Sequence, residues 1–199
     1  MMTEQESKKQ EYQDRYRFWS DKKIAQLSFH NNLLLTLGIA VIGYFWSERN
    51  SIYTKLIINC DAEIDWIIVC FLLGITSAVV SVTTGFILSL SRLYDLRLTS
   101  NITLTRRRAI DKSVEIKEKD VRKTSFIPSL LVLIAVSWNY QKYEVRKCEV
   151  ENKDVFQDKF NELRQKSSDL GISTWGLIKW QTLSMLIAFM FFTLTLALK

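Results

Sequence analysis

The chain has 199 residues, a formal net charge of +6, 24% charged side chains, one proline and six glycines. That length suits one domain rather than two, and the scarcity of helix breakers points to an all-α chain. Cys60, Cys70 and Cys148 lie far apart with no CxxC, and His30 is the lone histidine, so neither a metal nor a cofactor is expected.

Residues 1–27 are charged and aromatic, with no early apolar run that would mark a cleaved signal peptide. Glu4, Glu6 and Glu11 precede Lys22 and Lys23, the order that suits a helix macrodipole. Tyr12, Tyr16 and Trp19 fall at i, i+4 and i+7. The segment reads as an interfacial helix on anionic lipid or as a helix packed on the protein's own inner domain.

Three apolar runs follow that suit membrane crossing, since a hydrocarbon core of about 30 Å takes roughly 20 residues of helix. The first covers about residues 29–46. Its strongly apolar part is Leu33–Trp46, and His30, Asn31 and Asn32 lie at its inner end. These three read as headgroup-level polar residues, or as a gate or partner contact. The second, Trp66–Leu90, has no charge, and the third, Trp175–Leu198, has only Lys179. The implied layout is a transmembrane hairpin over 28–91, a charged region over 92–174 and a final span over 175–199. The loop Ser47–Asp65 is too short to build a large external ligand site.

The second run carries Ser77, Ser81, Gly85 and Ser89 at four-residue spacing. Small residues let helix backbones approach in lipid, and hydroxyls bond across the contact. The stripe therefore reads as a helix-association face. It serves packing within the chain, with Gly38, Gly43, Gln181 and Ser184 as facing surfaces, or self-association into a homo-oligomer. No Asp, Glu or Arg stands within the spans, which argues against a transporter or pump.

Beyond Leu90 the helix is expected to continue to Arg108, on the order of 60 Å in all. This extension bears the basic juxtamembrane residues Arg92, Arg97, Arg106, Arg107 and Arg108. From Arg106 to Lys123 the charges alternate in sign without interleaved aromatics. This reads as a solvated helix and not as a nucleic-acid surface. Phe126–Trp138 is apolar but short, and leaves the count at three spans or four. Lys and Arg number six up to Lys23, two in Ser47–Asp65, ten in Arg92–Lys123 and seven in Lys142–Lys166. The positive-inside rule favours three spans with the N-terminus and the charged middle cytoplasmic. A second charged helix is expected over Lys147–Ser168. Its apolar face of Phe156, Phe160 and Leu163 is a candidate surface for a cytoplasmic protein partner. SSDLG should end it with Gly171 as C-cap, and Ser173 or Thr174 should cap the last span.

The stretches SFHNNLLLTLGIAVIGYF, SRLYDLRLTSNITLTRRR and LGISTWGLIKWQ together resemble small, multi-span bacterial membrane proteins. The layout is similar in outline to SLATT-type membrane effectors of antiviral defence. That resemblance implies an inner-membrane protein that oligomerises or opens when a partner senses infection, and so damages the bilayer. It transfers no functional residue. The alternative is a non-toxic anchor or adaptor. Paired carboxylates at membrane depth, a histidine cluster and a phosphate-binding glycine loop are all missing from the sequence, so no enzyme is expected.

Overall fold

A computed structural model describes residues 4–53, 66–111, 116–117, 119–122, 124–143, 145 and 153–198. The elements are α1 (Glu4–Tyr53), α2 (Trp66–Asp111), α3 (Phe126–Trp138), a short 3-10 turn (Tyr140–Tyr143) and α4 (Lys153–Leu198), with no strand among the described residues. The protein is all-α, and α1, α2 and α4 are long and apolar enough to cross a membrane.

The architecture follows from one pattern. On α2 the enclosed positions are Phe71, Gly74, Ala78, Ser81, Gly85 and Leu88, and on α4 they include Phe156, Phe160, Leu163, Leu170, Thr174, Leu177 and Gln181. Steps alternating between three and four residues, or multiples of seven, keep one seam facing its partner along a straight rod. Helices α2 and α4, of 46 residues each, therefore pair antiparallel along their length, about 70 Å. The third rod, α1, runs antiparallel to α2 and joins it over Asn31–Phe45, where Leu34, Gly38, Val41 and Phe45 repeat the pattern.

Two apolar clusters fill the seam. One holds Leu34, Val41, Phe45, Phe71, Ala78, Met185 and Ala188, between all three rods. Here the Phe45 ring meets Phe71 and Phe192 edge-on at 5.1 and 5.8 Å. It also fills the space over Gly74, where an added Cβ would lie 2.7 Å from Phe45 Cζ. The other cluster lies toward the far end of the α2–α4 pair and holds Leu98, Ala109, Leu133, Val136, Val145, Phe156, Leu163 and Leu170.

Several sequence-based expectations need correction. The N-terminal helix and first span are one 50-residue helix; the side chains of Tyr12, Tyr16 and Trp19 lie outside the described residues. Gly171 does not end a helix. It stands inside α4, where Ser173 and Thr174 turn their hydroxyls back onto the carbonyls of Asp169 and Leu170 at 3.2 and 2.9 Å. Ser173 and Thr174 are buried, and Thr174 bonds to Ser91 of α2, whereas an added Cβ at Gly171 would meet nothing within 4 Å.

The charged helix expected through Lys123 is described only to Asp111, and the described residues 116–117, 119–122 and 124–125 are not helical and lie along α4. A row of carboxamides one turn apart explains why. Lys117 N donates to Gln157 Oε1 at 2.9 Å, and the amide nitrogen of Gln157 returns a bond to Lys117 O. Lys119 N donates to Asn161 Oδ1 at 3.3 Å. Arg122 exchanges two bonds with Gln165, both at 2.9 Å. Each glutamine side chain thus treats the extended chain as a neighbouring strand would. The pattern Gln157, Asn161, Gln165 at i, i+4, i+8 is the sequence signal for this strap. Replacing Gln157 and Gln165 by alanine should speed hydrogen exchange at the Lys117 and Arg122 amides by about tenfold or more, one lost bond each. The α4 amides beneath should not change, and equal acceleration in α4 would show that the strap is part of the core.

Helix α3 does not cross the bundle. Its first residue, Phe126, lies over Gly176, where an added Cβ would run into the ring. Just beyond its far end, the Tyr140 hydroxyl accepts from Asn101 Nδ2 at 2.8 Å, and Arg108 donates to Val145 O at 2.7 Å. Entry and exit are therefore on the same end of the spans, and among the described residues three helices are long and apolar enough to span, α3 not being one of them.

Candidate functional site: a polar belt inside the bundle

Between the two apolar clusters the packing changes character. Ser81, Gln181 and Ser91 are each 0% exposed, Asn31 6% and Thr174 3%. Together with Gly85, Ser89 and Ser184 they form a polar belt across α1, α2 and α4. Gln181 lies six residues into the apolar part of α4 from Trp175, about 9 Å along its axis.

Part of the belt is well paired. Ser81 donates to the carbonyl of Gln181 at 3.1 Å, and Ser184 reaches the same carbonyl at 3.1 Å. Asn31 Nδ2 donates to Ser89 Oγ at 2.8 Å, and the Ser89 hydroxyl donates to Gly85 O at 3.1 Å. Ser91 and Thr174 share a bond at 3.1 Å, and Ser167 continues the series by donating to Asp95 at 2.9 Å. His30 Nε2 stands 3.3 Å from Thr182 Oγ1.

The centre of the belt is not paired. Neither Oε1 nor Nε2 of Gln181 has a hydrogen-bond partner among the described residues, and neither has Asn31 Oδ1. These atoms converge on Gly85: a Cβ there would strike Gln181 Nε2 and lie 3.1 Å from Asn31 Oδ1 and 2.9 Å from Leu35 Cδ2. Glycine suits this point because the ends of the two carboxamides stand where a side chain would go and would have to be pushed aside. Leaving such polar atoms buried and unmet costs about 1–3 kcal/mol per group.

On both flanks of α1 the packing loosens. A groove of about 550 Å³ is lined by Ile24, Leu27, His30, Arg92, Asp95 and Trp175, among others. A smaller one of about 240 Å³ is lined by Asn31, Ser89, Arg92 and Leu93, among others. Charged and titratable groups thus reach down to the belt from one end of the bundle.

No protein-family model, curated protein or solved structure matches this chain. Its reading rests on its own geometry.

The sequence-derived residues sort as follows. Ser81 and Gly85 are enclosed by α1 and α4, Ser77 is half-buried, and Ser89 is exposed but bonded. As the bundle stands, the association face is used within the chain. Phe156, Phe160 and Leu163, 1, 0 and 1% exposed, are core residues covered by α2. Their apolar periodicity made a candidate partner face, and the second arm of the hairpin fills it. Arg97 stacks over the Tyr94 and Tyr140 rings at 5.8 and 5.6 Å, and Arg106 lies over Phe160 at 5.9 Å. Arg92 borders both grooves. The side chain of Arg107, like Cys60, Cys148 and most of the loop between α1 and α2, lies outside the described residues. The convergence of the Asn31 and Gln181 side chains on Gly85 was missed, because Asn31 sits among polar neighbours that look like headgroup contacts.

Proposed function

We propose that this protein is a membrane effector in its resting state, and that its action is to perturb the bilayer when the three rods separate. The unpaired Gln181 carboxamide carries the reading. An inert anchor gains nothing from a fully buried amide with no partner, whereas a bundle that must open gains a closed state that is poorly satisfied. The least enclosed rod is α1, which meets α2 beside grooves on both sides. Its withdrawal parts Asn31 from Ser89 and opens the α1 side of the Ser77, Ser81, Gly85 and Ser89 face for assembly with other copies. The positive-inside distribution supports a cytoplasmic N-terminus and a cytoplasmic α2–α4 hairpin in a bacterial inner membrane. The resemblance to SLATT-type effectors supports a role in antiviral defence, with a cytoplasmic protein partner as trigger. The adaptor alternative is weaker, because Phe156, Phe160 and Leu163 offer no open docking face.

The test is the double variant Asn31→Leu, Gln181→Leu. Expression of the wild type should slow growth, and the purified protein should release a small dye from vesicles. The variant should insert normally, resist thermal unfolding better by about 1–3 kcal/mol, and release at least about tenfold less dye, since that gain falls on the closed state alone. Undiminished release by the variant, or a harmless wild type, would count against an effector.

A further inference from the structure

The outer face of α3 has no cover within the chain. Ile127, Leu131, Ile134 and Trp138, at i, i+4, i+7 and i+11, are 72, 63, 62 and 86% exposed. The opposite face, Ser129, Leu133 and Val136, is buried. Such a stripe is not left to water in a stable protein.

Three features indicate what covers it. Phe126 sits on Gly176, next to the exposed Trp175 that opens the apolar part of α4. The stripe is thus continuous with the lipid-facing surface of the spans. The flanking segments are net cationic: Arg122 and Lys142 are exposed, and from Lys119 to Lys147 six lysines and arginines stand against Asp120 and Glu144. The helix also ends in the exposed Trp138, a side chain that favours the boundary between acyl chains and water. An anionic leaflet is complementary to a rim with this net basic excess.

We propose that α3 is an interfacial helix whose Ile127–Leu131–Ile134–Trp138 face enters the anionic leaflet on the side where the α2–α4 hairpin projects. The neighbouring strap and the Phe126–Gly176 contact hold it to α4, so the leaflet gains a direct mechanical attachment to a spanning helix. This holds whether or not the protein perturbs bilayers.

The test uses the full chain with its native cysteines replaced by serine and one cysteine introduced at Leu131, Ile134 or, as a control, Lys142. Each is labelled with an environment-sensitive fluorophore in vesicles of phosphatidylethanolamine and phosphatidylglycerol. All three positions are exposed, so folding should survive, as circular dichroism can verify. At positions 131 and 134 the label should emit to the blue and be quenched by lipids brominated on the acyl chain. Quenching by aqueous iodide there should be about threefold weaker than at 142, as expected of a face at acyl depth. Iodide quenching equal to that at 142 would overturn the proposal. So would labels shielded from both quenchers, which would mean that protein, such as a second copy, covers the stripe.

Discussion

Gly85→Leu should open the bundle from within. The substitution places four carbon atoms where Gln181 Nε2, Leu35 Cδ2 and Asn31 Oδ1 already stand, and those atoms belong to two other rods. Overpacking of this kind costs about 1–3 kcal/mol when neighbours can shift. Here all three obstacles are side-chain ends on two other helices, and a leucine must displace them all, so a cost within that range is expected. Helix propensity works the other way, since leucine is favoured over glycine by about 0.8–1.0 kcal/mol in a helix interior. The control is Gly43→Leu, on the same bundle, where an added Cβ meets nothing within 4 Å. Denaturant titration of the protein in detergent, followed by circular dichroism, should show a loss for the first variant. The second should show no change or a small gain. Equal behaviour of the two would mean that α1, α2 and α4 do not meet at Gly85.

Phe160→Ala should unfold the far hairpin while leaving the spans intact. Phe160 is 0% exposed, its ring stacks on Phe156 at 6.2 Å, and Arg106 lies over it at 5.9 Å. Removing a fully buried phenylalanine costs about 3–5 kcal/mol. The two apolar clusters share no residue and are separated by the polar belt, so the loss should stay on one side of it. Hydrogen exchange should accelerate in residues 98–109 and 156–170, with little change in 71–78 and 185–188. Acceleration spread evenly over both regions would mean that the belt does not divide the molecule.

The spans, their order and the long projection of α2 are legible in the sequence, because uncharged runs and seven-residue repeats depend on local pattern alone. The stripe of Ser77, Ser81, Gly85 and Ser89 is legible as a close-packing surface, but not as a surface facing α1 and α4, since three-helix packing and self-assembly place the same demand on those residues. The extended strap is hidden because alternating charges also suit a solvated helix. Its stabilising partners, Gln157, Asn161 and Gln165, lie some forty positions away. Gly171 misleads for a related reason. A glycine shortly after a serine pair looks like a helix stop, but here the helix runs on through it, in a place where an added Cβ would meet nothing within 4 Å.

The unbroken course of α4 has a mechanical consequence. From Phe156 to Gln181 it is one rod of about 37 Å. A rod of this stiffness cannot absorb a push at its tip by bending at the bilayer surface, as a hinge at Gly171 would allow. If it pivots at the belt, a tilt of about 5° displaces the tip by roughly 3 Å over that 37 Å arm, and the same rotation acts on the far arm toward Leu198. Force applied where Phe156 and Phe160 lie is therefore delivered as torque on the carboxamide pair at Gly85, the least satisfied contact of the spans.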